Sequence, residues 1–256
     1  MLEQNITIMG VQADLLWENS EANLTRLEEL ILADNRAVDV IILPEMFATG
    51  FTMNPQQFAA TENGAEIKWL RKIAAQKQSA ICGSLSFNDN GTFYNRFVWV
   101  NPDGKIYHYD KRHLFSFAKE NTHYTAGSER IIIEYNGWKI CPLICYDIRF
   151  PIWSRNDKNN PYDLLIYVAN FPQSRIYAWQ SLLIARAIEN QSYVAGINRV
   201  GNDGNGIYHS GDSMIIDPMG IVLQHSENEE RLVFQTLSKE NLKKTRRYLP
   251  FLKDAD

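Results

Sequence analysis

The sequence reads as an α/β protein built from two mixed β-sheets that face each other with helices outside, and three observations support this. Short runs such as Val40-Ile41-Ile42-Leu43, Ile140 to Ile144 and Leu164 to Ala169 are apolar throughout, as in strands buried on both faces. Other strand-like runs meet at Asn90-Gly91, Asp103-Gly104 and Asn136-Gly137, which signal tight turns between antiparallel partners. Helical periodicities fall between the strands without a linker, so helices layered outside two sheets would bury both kinds of strand in one domain, residues 1–256.

In chain order, Ile6, Ile8 and Val11 open a strand that turns polar at Gln12 and Asp14. Asn19 or Ser20 caps the next segment, where Leu24, Leu27, Leu30 and Ile31 recur at helical spacing opposite Glu28 and Glu29, predicting a helix over 21–35. An apolar strand over 38–43 ends on Pro44-Glu45, and a loop rich in Thr, Gly, Asn and Pro (49–57) leads to a second helix with the stripe Ile67, Leu70, Ile73 and Ala74. Residues 79–87 and 93–100 pair across Asn88-Asp89-Asn90-Gly91, and a further strand over 105–109 delivers Asp110-Lys111-Arg112-His113. Residues 114–127 show neither period and read as an ordered functional loop. Asn136-Gly137 then joins two strands, the second running into Cys145.

A buried strand over 163–169 follows, then a helix over 174–190 with Ile176, Trp179, Leu183 and Ala187 on one face, and a strand over 192–198. A Gly/Asn-rich loop (201–206), a hairpin at Pro218-Met219-Gly220, a strand over 232–237 and a helix from Ser238 complete the chain. Asp39 and Asp163 each open a buried strand, and the polar ends Glu45-Met46-Phe47 and Asn170-Phe171 echo one another, which suggests two similar halves.

Composition narrows the function. Net charge is −4, so no basic surface for nucleic acid is expected. Cys82, Cys141 and Cys145 are odd in number and lack CxxC or Cys/His spacing, which argues against a disulfide framework or a zinc site and for a reducing compartment. Met1-Leu2-Glu3-Gln4-Asn5 shows no basic segment followed by an apolar one, and no apolar run approaches membrane-spanning length. A cytoplasmic protein without a membrane partner is expected. His113, His123 and His209 form no metal constellation, and neither metal nor cofactor is expected.

The chemistry centres on Cys145. A cysteine in a strand is ordinarily core packing, the reading kept for Cys82 and Cys141. Cys145, however, stands where an apolar strand meets a segment suited to a short helix, so the N–H groups of the turn would favour a thiolate and later an oxyanion. Glu45 ends another apolar strand, where partial desolvation suits a general base. Lys111 leaves a strand among charged neighbours; as an ammonium it could polarise a carbonyl, with Glu120 holding it in place.

Together, Leu43-Pro44-Glu45, Asp110-Lys111-Arg112-His113-Leu114-Phe115 with Glu120, and Leu143-Ile144-Cys145-Tyr146-Asp147-Ile148-Arg149-Phe150-Pro151 resemble the three signature blocks of the nitrilase superfamily of carbon–nitrogen hydrolases. Phe115 to Glu120 and Ala185 to Gln191 are similar to its omega-amidase branch. The resemblance implies a four-layer α-β-β-α sandwich that commonly dimerises. It also implies a Glu45–Lys111–Cys145 triad supported by Glu120, with the Tyr146 backbone N–H as oxyanion donor and a thioester intermediate. The implied substrates are small dicarboxylic monoamides such as 2-oxoglutaramate; nitriles, N-carbamoyl amines or other aliphatic amides are alternatives on the same groups. A non-enzymatic binding protein would be expected to lack one of these groups. For the substrate carboxylate the candidates are Arg149, Arg175 and Arg186. Phe115, Phe117, Tyr124, Phe171 and Trp179 suit the walls of a small pocket as well as they suit the core.

Overall fold

The computed structural model describes residues 5–254; Met1 to Gln4, read above for a leader, and residues 255–256 lie outside them. The first half comprises β1 (Ile6–Gln12), α1 (Ser20–Ala33), β2 (Val40–Ile42), α2 (Pro55–Phe58), α3 (Ala65–Lys77), β3 (Ala80–Asp89), β4 (Thr92–Val100) and β5 (Ile106–Asp110). The second comprises α4 (Glu120–His123), β6 (Ile133–Tyr135), β7 (Trp138–Ile144), α5 (Pro151–Ser154), β8 (Leu164–Ala169), α6 (Ile176–Asn190), β9 (Tyr193–Asn198), β10 (Val200–Asn202), β11 (Tyr208–Ile216), β12 (Val222–Glu227), β13 (Arg231–Leu237) and α7 (Lys239–Tyr248).

These strands make two mixed sheets. One runs β13-β1-β2-β3-β4-β5, and the other runs β10-β11-β9-β8-β7-β6 with β12 paired to β11. Each has a parallel centre, β1-β2-β3 and β7-β8-β9, flanked by antiparallel strands. The runs that are apolar throughout fall in three of these parallel strands, β2, β7 and β8, whose two faces are both covered.

Alternation along the strands sorts residues into layers. Ile6 and Ile8 of β1 share a core with Leu143 and Leu164 of the second sheet, whereas Met9 and Val11 pack with Leu24, Leu27 and Ile31 of α1 and Leu70 and Ile73 of α3. On β9, Ile197 reaches Gly10 of β1, and Gly196 lies against Leu183 and Trp179 of α6. The order is therefore helix, sheet, sheet, helix, the four-layer sandwich expected from the sequence.

The echo between halves has a structural basis. The Asp39 carboxylate accepts the Thr7 N–H at the start of β1–β2 pairing, and the Asp163 carboxylate accepts the Lys139 N–H at the start of β7–β8 pairing. Each aspartate opens a parallel strand by satisfying the backbone of its neighbour.

The structure departs from expectation in its short elements. Regular pairing in β2 stops at Ile42, although Leu43 N still donates to Cys82 O. The aperiodic loop 114–127 holds a 3-10 turn, Ser116–Ala118, followed by α4. The helix expected over 174–190 begins as a 3-10 turn, Gln173–Arg175, before α6; the short helix expected after Cys145 comes as a 3-10 turn, Cys145–Arg149, followed by α5; β10 and α2 went unread. Elements of three or four residues are too short to display a period.

Candidate active site

β7 ends at Ile144, and the chain turns at Cys145, whose φ of 43° is left-handed, into a 3-10 turn over Cys145–Arg149. A residue with a side chain holds that conformation at a cost of roughly 1–2 kcal/mol, so the surroundings must enforce it. Asp147 does so. Fully buried, it accepts hydrogen bonds from Ile144 N (3.1 Å), His113 N (3.0 Å) and Tyr109 Oη (2.7 Å). The elbow leaves Cys145 partly exposed and puts the Tyr146 N–H at the start of the turn, where no acceptor within the turn is available to it.

Three buried charges face the thiol. Glu45, just beyond β2, and Lys111, just beyond β5, bond directly, with Lys111 Nζ 2.9 Å from Glu45 Oε1. Lys111 Nζ also lies 3.1 and 3.0 Å from the two carboxylate oxygens of Glu120 on α4, and Phe115 N donates to Glu120 Oε2 at 2.6 Å. Cys145 stands beside Glu45 on the same cleft, close enough for the carboxylate to act on the thiol. Sequence reasoning missed two further members. Asn95 Nδ2 donates to both Glu45 Oε1 (2.8 Å) and Glu120 Oε1 (3.0 Å), and the Asn170 backbone N–H donates to Glu45 Oε2 (2.8 Å).

Burial works against the Lys111 ammonium, but Glu120 and Glu45 outweigh it and hold its pKa above the usual lysine value. Burial raises the Glu120 carboxyl against the pull of Lys111. Burial, then the Glu45 charge, pushes the Cys145 thiol well above its normal range, so Cys145 rests as a thiol. Two carboxylates and one ammonium make the cluster net −1. Passing the thiol proton to Glu45 leaves that charge unchanged and puts a thiolate near Lys111, so the transfer needs no new counter-charge.

A cleft of about 310 Å³ opens above these groups, within the range for a small-molecule site. Glu45, Lys111 and Cys145 line it together with Phe115, Arg149, Phe171 and Arg175. The Arg149 guanidinium lies 5.6 Å from the Phe171 ring and that of Arg175 lies 5.2 Å from the Phe115 ring. Burial, reinforced by the like charge of Arg149, lowers the pKa of Arg175. Two guanidinium groups at one rim suit an anion.

Four candidates lie elsewhere. Phe117 is 84% exposed, because the 3-10 turn sends Phe115 inward and Phe117 out. Tyr124 is buried, and its hydroxyl reaches Thr52 O and Ser86 Oγ beneath the loop that carries Phe51. Trp179 is buried behind Phe171, with Nε1 donating to Asp212 O. Arg186 is buried and braces the Cys145 turn from behind by donating to Ile148 O at 2.6 Å. None of the four lines the cleft; the three buried ones pack beneath or behind it. Among the described residues, Asp212, His225 and Glu227 bring possible ligand atoms within 4.8 Å of one another, but none of the three lines the cleft, and Asp212 already accepts from Gln180, Ser210 and His225.

The sequence from residue 7 to 247 matches the family model described as carbon-nitrogen hydrolase. The chain is 46% identical over 247 residues to the omega-amidase YafV of Yersinia enterocolitica, covering 96% of this chain and 95% of that protein. It is 35% identical to a 2-oxoglutaramate amidase of Bacillus subtilis, covering 97% and 96%. Its fold superposes with a TM-score of 0.96 on XC1258 of Xanthomonas campestris, a CN-hydrolase superfamily protein solved with an arsenic adduct in its active site; identity is 39% and coverage 99% and 98%. On both sequence and fold, this chain belongs to the carbon–nitrogen hydrolase family.

Proposed function

We propose that the chain is an omega-amidase that hydrolyses the terminal amide of small dicarboxylic monoamides, with 2-oxoglutaramate as the leading substrate. The observation that carries this is that Glu45 and Lys111, bonded to each other at 2.9 Å, line the wall of a single cleft together with Cys145. Glu45 takes the thiol proton as Cys145 Sγ attacks the amide carbon, and Lys111 with the Tyr146 N–H stabilises the oxyanion. Collapse expels ammonia with the proton from Glu45, leaving a thioester. Glu45 then activates the water that hydrolyses it, and Glu120 holds Lys111 throughout.

Arg149 and Arg175 supply the partner for the distal carboxylate, which favours a dicarboxylic monoamide over a nitrile, an N-carbamoyl amine or a neutral amide. A panel assay for ammonia release from 2-oxoglutaramate, glutaramate, butyramide, a simple nitrile and a carbamoyl amino acid tests the reading. The two dicarboxylic monoamides should dominate, and Cys145→Ala should abolish turnover. Equal rates on butyramide, or full activity in Cys145→Ala, would sink it. Arg175→Ala should raise KM for glutaramate about 10–100-fold while leaving butyramide nearly unchanged, the loss expected for one charge-assisted contact.

A single carbon–nitrogen hydrolase domain over residues 1–256, acting without metal or cofactor as a cytoplasmic homodimer, completes the proposal. Three free thiols support a reducing compartment. Tyr177, Ile184 and Ile188 recur along one outer face of α6, beside the turn holding Met219 and Ile221, and this apolar stripe supports pairing with a second copy. Among the described residues, no helix is long and apolar enough to cross a membrane. Light scattering tests the dimer.

A further inference from the structure

Asn170 directly follows β8 on the cleft wall beside Glu45, and its amide is locked by its own contacts. Nδ2 donates to the Glu45 backbone carbonyl at 2.6 Å, so the reverse orientation would press two oxygens together. Oδ1 therefore faces the other way, and there it is buried with no partner among the described residues. A buried acceptor with nothing to accept is unusual, and beside a reacting carboxylate it calls for a ligand donor.

We infer that Asn170 Oδ1 accepts a hydrogen bond from the N–H of the scissile amide and so selects primary carboxamides as substrates. This rests on the amidase reading above. If the carbonyl oxygen lies toward Lys111 and the Tyr146 N–H while the carbon lies over Cys145 Sγ, the amide nitrogen must fall within proton reach of Glu45. Asn170 N is 2.8 Å from Glu45 Oε2, so that nitrogen enters the neighbourhood of Asn170. In the tetrahedral intermediate the nitrogen has become pyramidal. Oδ1 holds one N–H and thereby turns the lone pair toward the proton on Glu45. The C–N bond then breaks, the nitrogen takes that proton and leaves as ammonia, and the oxyanion electrons re-form the carbonyl of the thioester. An ester has no N–H to offer Oδ1 at this step, so the contact acts in acylation by amides and not in acylation by esters.

That asymmetry sets the test. Glutaramate and monomethyl glutarate form the same thioester, but only the amide offers an N–H. In Asn170→Ala, acylation by glutaramate should fall about 30–100-fold, the loss of one oriented polar contact in the transition state. Acylation by the ester, followed by intact mass after rapid quench, should change less than about 3-fold. Equal losses on amide and ester would mean that Asn170 merely positions Glu45, and would overturn the inference; so would no loss at all. If Asn170→Ala does not fold, a crystal structure of Cys145→Ala with glutaramate decides: the amide nitrogen is expected within hydrogen-bond distance of Asn170 Oδ1, and a nitrogen more than about 4 Å away refutes the contact. Failure of the wild-type protein to release ammonia from any amide would instead strike the amidase reading itself.

Discussion

Asn95 lies at the end of a chain of donors: Met46 N donates to Ser84 Oγ, Ser84 Oγ to Asn95 Oδ1, and Asn95 Nδ2 to both Glu45 and Glu120. These groups are buried, so removing the amide leaves the Ser84 hydroxyl without its acceptor and leaves Glu45 Oε1 and Glu120 Oε1 with Lys111 alone of the two side-chain donors they shared, at a cost of about 1–3 kcal/mol. Asn95→Ala is expected to lower the melting temperature and reduce kcat at least tenfold, read by calorimetry and ammonia release. His209, on the cleft wall, offers a pH test. Burial, then the charge of Arg199, lowers its pKa from 6.5 to about 4. A folded value below the unfolded one means that its stabilising contribution is intact above pH 6.5 and is lost as pH falls toward 4, a loss on the order of 3 kcal/mol. Urea midpoints at pH 7 and 4.5 should therefore lie closer together in His209→Gln than in the parent. Glu45, Lys111 and Cys145 were legible in the sequence because each closes a strand, a local signal. Asn95 and Asn170 were not: their partner Glu45 lies 50 and 125 residues away, and only the fold reveals the pairing. The same distance hid the fact that Tyr124, Trp179 and Arg186 face the core.

At the scale of single elements, the elbow after β7 stores strain in one residue. Because Cys145 sits at φ 43°, Cys145→Gly should melt higher than Cys145→Ala by about 1 kcal/mol in stability, since glycine adopts that backbone freely; both are inactive. The loop after α4 has its own constraint. Gly127 N donates to Lys111 O, and a Cβ on Gly127 would stand 2.1 Å from the Asp110 carbonyl oxygen. Backbone cannot yield as a side-chain tip can, so Gly127→Ala should shift the strand end that carries Lys111, costing about 1–3 kcal/mol and a matching drop in kcat. The long helices and the Asn-Gly hairpins were legible because a repeated period or an obligatory turn residue marks them. β10, α2 and the turn around Phe115 were not, since three or four residues carry no period and their backbone is settled by neighbours.

Across the whole molecule, the site is made where two similar sheets meet, the first contributing Glu45, Lys111 and Asn95, the second Cys145 and Asn170. Asp147 joins them by accepting from Tyr109 on β5, from His113 and from Ile144 at the end of β7. Asp147→Ala leaves those donors buried and unpaired and is expected to cost at least about 3 kcal/mol while lowering kcat, whereas a substitution at exposed Phe117 should do neither. The matched roles of Asp39 and Asp163 explain why the repeat was faintly visible in the sequence; the divergence of Glu45 from Asn170 at the equivalent strand ends explains why it was only faint. The central claim is that these groups converge to make Cys145 an acyl acceptor. Rapid-quench intact mass spectrometry with glutaramate tests it most directly. A glutaryl adduct that maps to Cys145, forms and decays at the rate of turnover, and is absent from Cys145→Ala is the predicted result; ammonia release at full rate with no adduct on Cys145 would contradict it.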